Sequence, residues 1–275
     1  MMRFWFSTQR MLTALCCFLS IFLANSCISS EGFGTRPRDD FESLWRTIDR
    51  HYCFFDFKHK EYGLDWNEVH ERYRKQISDS MSPQALFQVL GKMCSELRDG
   101  HVNLWSPQNT ARYTRWYEAY PVNFSDSLLR RALGSSGEYR LASGMQYKIF
   151  DDNVGYLRCA SFDMALGAGN LHEIMRYLST CDGLIVDVRN NGGGYLTSAE
   201  TLAAVFTNEE KVVGYISHKT GPGHSDFSTP KPIVLQPGKG LRWQKPVVVL
   251  ANRRTYSAAN AFVMYMKALP NVTFM

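Results

Sequence analysis

The sequence lacks the spacings on which the commonest metal, redox and nucleotide sites depend, and each absence removes a class of function. It has seven cysteines, yet none forms a C-x-x-C pair, so neither a zinc ribbon nor a dithiol redox site is indicated. Seven histidines show no H-E-x-x-H or comparable ligand spacing, which argues against a metal centre. Neither G-x-G-x-x-G nor G-x-x-x-x-G-K-[ST] occurs, so a phosphate cradle for a nucleotide is disfavoured. The absence of G-x-S-x-G likewise excludes an α/β-hydrolase elbow. A formal charge of +5 falls to about +3 once Arg3 and Arg10 are set aside, and no basic cluster is dense enough to indicate nucleic acid. The composition, 45% hydrophobic and 21% charged over 275 residues, is that of a chain that buries a sizeable core.

No apolar run reaches the ~20 residues that a membrane-spanning helix needs. The longest, Met11 to Ala24, follows Arg3 and Arg10 and reads as a cleaved secretory signal. It ends in Leu23-Ala24-Asn25-Ser26-Cys27, small residues before a cysteine, which resembles a bacterial lipoprotein signal over residues 1–27. Cys27 is then the expected lipid attachment point, and a periplasm-facing or surface position on the cell envelope the expected location. With Cys16 and Cys17 lost in the leader, Cys53, Cys94, Cys159 and Cys181 remain, as free thiols or in one or two disulfides.

Residues 28–39 carry Ser, Gly, Pro and Thr without periodicity and read as a tether. Residues 40–100 read as a small helical subdomain with three helical patterns: Asp40 to Phe55, Trp66 to Ile77, and a third that Ser82-Pro83 opens. Gly100 suits a helix C′ position, and His101 starts a strand-like segment. Residues 107–150 read as turns and short strands. From Asn153 a strand, a helix from about Leu171 to Leu178 and a second strand from Gly183 compose a βαβ unit.

Two strand-to-helix junctions carry the candidate chemistry. After Asp187-Val188-Arg189 the chain passes through Asn190-Asn191-Gly192-Gly193-Gly194 into a helix from Thr197 to Phe206. Consecutive glycines let backbone amides approach a ligand closely; a plain flexible turn is the simpler alternative. Further on, Val247 to Leu250 is a β-branched run of the kind expected from a parallel strand covered on both faces, and a polar turn leads to Ser257 at the start of an alanine-rich helix. A serine there either caps the helix or serves as a nucleophile beside the first helical amides.

Leu97-Arg98-Asp99-Gly100-His101-Val102, the Val154–Leu157 strand, Asp187 to Gly194 and Thr255-Tyr256-Ser257-Ala258-Ala259 together resemble the serine peptidases that include the C-terminal processing (tail-specific) proteases and the tricorn protease core. The resemblance implies an α/β (α+β) fold with a ClpP/crotonase-like core of ββα units over residues 101–275. It also implies Ser257 as nucleophile, His101 as base and the amides of Gly193 and Ala258 as oxyanion hole, acting on peptide or protein substrates without metal or organic cofactor. This chain has Gly100 where the tricorn type has a serine, and the stretch between His101 and the core is too short for a PDZ module. On this resemblance the C-terminal part of the core is missing, and the acidic third residue is expected beyond Met275. A peptide- or apolar-ligand-binding lipoprotein of the same fold, or an inactive truncated fragment, is the alternative reading.

Overall fold

Apolar side chains recur every three to four residues between Phe41 and Leu97, and the chain answers with four helices, α1 (Pro37–His51), α2 (Phe55–Tyr62), α3 (Trp66–Arg74) and α4 (Pro83–Ser95). The structure, a computed structural model, describes residues 36–275; the leader over 1–27 and Cys27 lie outside the described residues. The first helix begins at Pro37, inside the stretch expected to be a tether, because a proline at the first helical position and Asp39 and Asp40 in the first turn favour helix there. Asp65 caps α3 through the amides of Asn67 and Glu68, and Ser82 caps α4 through that of Ala85. Where one helix was expected from Asp40 to Phe55, the chain breaks after His51 and restarts as α2. Trp45 and Trp66 stack with ring planes 5° apart, each indole N–H donating to the other residue's carbonyl, at 3.0 and 3.3 Å. Of the stripe on α1, Phe41 is buried, and Leu44, Trp45, Ile48 and Tyr52 are half-buried.

The chain divides into two compact units, the first ending at Leu97 and taking in Leu104–Ala111, the second comprising Arg98–Asn103 and Arg112–Met275. The boundary lies three residues before the expected one, and His101 belongs to the second unit. Strands β1 (Asn103–Trp105) and β2 (Thr110–Arg112) pair with each other. The stretch expected to be irregular continues with two helices, α5 (Arg115–Glu118) and α6 (Asp126–Leu133), and the antiparallel pair β3 (Arg140–Ala142) and β4 (Met145–Ile149).

The rest of the second unit alternates strand and helix: β5 (Val154–Arg158), α7 (Ala168–Leu178), β6 (Gly183–Asp187), α8 (Leu196–Ala203), the hairpin β7 (Lys211–Ile216) and β8 (Lys231–Leu235), β9 (Val247–Leu250), α9 (Ala258–Lys267) and β10 (Val272–Phe274). A six-stranded mixed sheet in the order β10-β9-β6-β5-β4-β3 results, parallel from β10 to β5 and antiparallel from β5 to β3. Leu157, Val186 and Val249 line up across β5, β6 and β9 and pack against Ile174 of α7, Leu202 of α8 and Phe262 of α9 in one core. Val247 and Val249 are buried, but Val248 and Leu250 are half-buried, which corrects the expectation of a strand covered on both faces. Its β-branched run reflects strand propensity as well as burial.

At the carboxyl ends of β5 and β6 one charged cluster is shut inside the sheet. Asp187 has no solvent exposure and accepts from the Tyr156 hydroxyl at 2.6 Å, from Arg158 at 3.1 Å and from the Arg189 amide, Nε and a terminal nitrogen at 2.9, 3.0 and 2.7 Å. Burial pushes its pKa up, but the bonds from Arg189 and Tyr156 and the charge of Arg158 outweigh it, and the carboxyl is held below the usual range. Removing the charge strands two guanidinium groups, so Asp187→Asn is expected to cost about 3–5 kcal/mol, read as a fall of roughly 6–20 °C in Tm by circular dichroism. Because the folded pKa is depressed, the stability from Asp187 is fully present above the unfolded value of about 3.9 and is lost as pH falls through the folded one. Urea titrations between neutral and acid pH should therefore show a steeper acid loss for the parent chain than for Asp187→Asn.

Candidate active site

The turn that follows β9 is stitched to the turn that follows β6. The Thr255 hydroxyl donates to the Val188 carbonyl at 2.9 Å and accepts from the Asn252 amide at 3.0 Å. The Tyr256 amide donates to the Asn191 carbonyl at 2.9 Å, and Asn252 is joined to Asn190 by two bonds, at 2.8 and 2.9 Å. Into this frame Ser257 is set at φ 54° and ψ −125°, close to the first central position of a type II′ turn, where glycine is the usual residue. Such a backbone costs about 1–3 kcal/mol in a non-glycine residue. Its hydroxyl caps no helical amide, so the capping role considered from the sequence is not the one it plays. Ser257 is exposed, and among the described residues no protein acceptor meets the Ala258 amide.

The glycine loop lies against that turn. Gly193 has φ +101°, and a Cβ built on it would meet Ser257 Cβ at 2.7 Å, the Tyr256 carbonyl at 2.8 Å and the Ala258 nitrogen at 2.9 Å. Only glycine allows this approach. The Gly193 carbonyl accepts from the Phe162 amide at 2.8 Å, while its own N–H donates to Asn191 Oδ1 at 2.9 Å. The amide expected from the sequence to face an oxyanion is thus occupied in this structure by the side chain two residues earlier. Asn191 is fully buried, and its amide nitrogen donates to the Cys159 carbonyl at 3.0 Å.

His101 is brought to the residue beside Ser257. Its Nδ1 hydrogen-bonds with the Tyr256 hydroxyl and lies 3.6 Å from Asp99 Oδ1, and its backbone N–H donates to the same Asp99 oxygen at 2.8 Å. The Tyr256 ring stacks on the His101 ring at 4.2 Å and on Trp116 at 4.4 Å. Burial, and then the negative charge of Asp99, push the Tyr256 phenol up to about 12, so it is protonated at neutral pH. Gly100 is not the helix C′ residue expected, since α4 ends at Ser95 and the left-handed residue here is Arg98 at φ 46°. It is required for space: a Cβ would come within 2.6 Å of the Trp116 indole nitrogen and 2.9 Å of the Tyr256 oxygen.

Sequence reasoning missed Asp99, Tyr256 and Asn191 as partners of the named residues. Tyr256 and Asp99 stand one and two positions from Ser257 and His101, but contacts between residues 155 apart leave no periodic trace. Among the described residues, no group of three or more His, Cys, Asp or Glu side chains stands together as a metal site, and Cys53, Cys94, Cys159 and Cys181 are free.

A serine on a tight strand-to-helix turn beside a glycine loop, with a histidine held nearby, is the arrangement of a serine hydrolase. The pattern of peptidase family S41 matches residues 153–275, and that of the tricorn protease C1 domain matches residues 34–95. A candidate peptidase from Parabacteroides merdae ATCC 43184 has a crystal structure that superposes with a TM-score of 0.82 at 44% identity, over 88% of this chain and 75% of that one. The carboxy-terminal processing protease CtpA of Bacillus subtilis (strain 168) is 28% identical over 124 residues, 44% of this chain and 24% of that protease; the match spans about a quarter of its length. Mature CPAF, at 12% identity and a TM-score of 0.62 over 87% of this chain and 82% of that one, shares the fold. The chain belongs to peptidase family S41.

Two glycines separate strain from crowding. Gly63 and Gly193 both have positive φ, but a Cβ on Gly63 has nothing within 4 Å. Gly63→Ala is expected to cost about 1–2 kcal/mol from backbone alone, whereas Gly193→Ala adds about 1–3 kcal/mol of overpacking against the nucleophile turn. Urea denaturation of the two variants measures the difference, and equal losses would mean that the loop does not press on Ser257.

Proposed function

We propose that the chain is a serine peptidase of the bacterial cell envelope, anchored through a lipid on Cys27 after removal of residues 1–26, and that it cleaves peptide bonds through an acyl-enzyme on Ser257. The observation that carries the reading is the strained, uncapped Ser257 backbone held against the Gly193 loop, with His101 fastened to the adjoining Tyr256.

In this reading the Ser257 hydroxyl attacks the substrate carbonyl while His101 Nε2 takes its proton and later delivers it to the leaving amine. That direction requires the proton on Nδ1, where the Tyr256 oxygen is within reach to accept it. The carbonyl oxygen gains charge as the tetrahedral adduct forms. Ala258 N–H, at the positive end of α9, is placed to receive it. Gly193 N–H joins by exchanging Asn191 Oδ1 for the oxyanion, an exchange that favours the charged acceptor because charge-assisted hydrogen bonds are roughly twice as strong as neutral ones. No step calls for a metal or an organic cofactor.

The test is covalent labelling of residues 28–275 with a fluorophosphonate, the adduct being located by mass spectrometry. Label is expected on Ser257, absent from Ser257→Ala and slowed at least about a hundredfold in His101→Ala. An unlabelled parent chain that melts cooperatively would instead identify a binding protein of this fold.

A further inference from the structure

Beside the nucleophile turn lies a cleft of about 420 Å³ whose wall is α6 and the segment leading into it, with Tyr156 and Arg189 as its floor. We propose that this cleft is a subsite that takes one bulky apolar side chain of an extended peptide; the proposal builds on the peptidase reading and adds what the site selects.

Its chemistry is that of an apolar receptor. Val122, Phe124, Leu128 and Leu129 supply the walls, and Val122 and Leu128 at its edge are 82% and 57% exposed, so hydrocarbon stands in water on the free surface. The guanidinium of the floor already has partners. Arg189 spends two nitrogens on Asp187, and the Phe124 ring lies over the guanidinium groups of Arg158 and Arg189, at 4.9 and 5.0 Å. An aliphatic or aromatic ligand group meets complementary walls, whereas an anionic one would have to displace the Phe124 ring to reach the guanidinium groups. The volume, near the lower end of the ~300–1,000 Å³ of small-molecule pockets, fits one large side chain with the adjoining main chain.

The rim of the cleft is tied to the turn that carries Ser257 by a hydrogen bond. Asn123 on its rim accepts from Asn252 Nδ2 at 3.3 Å, and the same Asn252 bonds to Asn190 and to the Arg254 amide. The rim is therefore one hydrogen bond from the turn that carries Ser257 and two from the loop that carries Gly193. A peptide whose scissile carbonyl sits at Ser257 passes this rim within a few residues, since an extended chain advances about 3.3 Å per residue. Residues 122–132 fall between the stretches matched by the family patterns, 34–95 and 153–275.

The experiment separates binding from turnover. The Ser257→Ala chain is titrated with fluorescein-labelled octapeptides identical except for a central Leu, Phe, Gly or Asp, and followed by fluorescence anisotropy. The Leu and Phe peptides are expected to bind at least tenfold more tightly than the Gly and Asp peptides. Leu128→Arg, on an exposed helical position, and independently Val122→Asp, in the loop before the helix, should bring the Leu peptide to the level of the Gly peptide with an unchanged melting temperature. Equal affinity for all four peptides, no binding at all, or a preference that survives both substitutions would overturn the proposal. With Ser257 intact, the rate of labelling by a small fluorophosphonate should not respond to Leu128→Arg. A chain that takes no label yet keeps the Leu and Phe preference would refute the peptidase reading and leave the subsite standing.

Discussion

A single buried carboxylate, Asp187, sets the positions from which the Gly193 and Ser257 turns are built. Taking a charge out of water is costly, and a buried ion pair is by itself weak support for stability. What the cluster provides is registration. Five donors from Tyr156, Arg158 and Arg189 converge on the last residue of β6, and Arg158 also donates to the Arg189 carbonyl at 2.7 Å. The chain therefore leaves the sheet in one direction only. Asn190 then meets Asn252, and Asn191 meets Tyr256, so the exit of β6 dictates the exit of β9.

The strain at Ser257 is a consequence of that registration. The turn is held from before by the Thr255 bond to Val188 and the Tyr256 bond to Asn191. It is held from behind by α9, whose Ala258, Ala259 and Phe262 are buried in the core. Between two fixed ends the serine has to reverse the chain in one residue, and a left-handed φ is the way to do it. The cost of about 1–3 kcal/mol is offset by the burial of Phe262 and Met266 on the same helix, each worth about 1.5–3 kcal/mol when fully buried. The gain is positional: the Cβ of Ser257 is pressed toward Gly193, and its hydroxyl is kept from the capping bond it would otherwise make.

The periodic part of this design is legible in the residues. The βαβ unit, the strand before Ser257, the helix after it and the Ser82-Pro83 start of α4 all follow from spacing and capping signals. Asp187-Val188-Arg189-Asn190-Asn191 followed by glycines marks the site through its resemblance to a family, but the physical content of the pattern is visible only in three dimensions. Asp187 and Arg189 neutralise each other, Asn191 orders the loop, and Gly193 makes room for Ser257. What stayed hidden is what depends on distant pairing. The break between α1 and α2, the helices α5 and α6 inside an irregular stretch, and the half-exposed face of β9 all depend on tertiary neighbours. Gly100 is the sharpest case: it looks like a helix terminator, yet what excludes a side chain is Trp116 and Tyr256, far along the chain.

The crowding at Gly100 also bears on how His101 is ordered without the serine that the resemblance led one to expect before it. A serine at position 100 would carry a hydroxyl able to bond the neighbouring histidine, but its Cβ would collide with Trp116 and Tyr256. The space that the serine would need is occupied by the aromatic stack itself. The Tyr256 oxygen is the partner of Nδ1, Trp116 backs its ring, and Asp99 holds the His101 backbone from the other end. The stack is clamped in turn from the nucleophile turn, where Arg253 donates to the Trp116 carbonyl at 2.6 Å and Arg254 lies over Tyr117 at 4.4 Å. The residue that orients the histidine is thus covalently next to the serine it would serve. Movement of the turn therefore acts on His101 through Tyr256, even though the His101 side chain is 58% exposed.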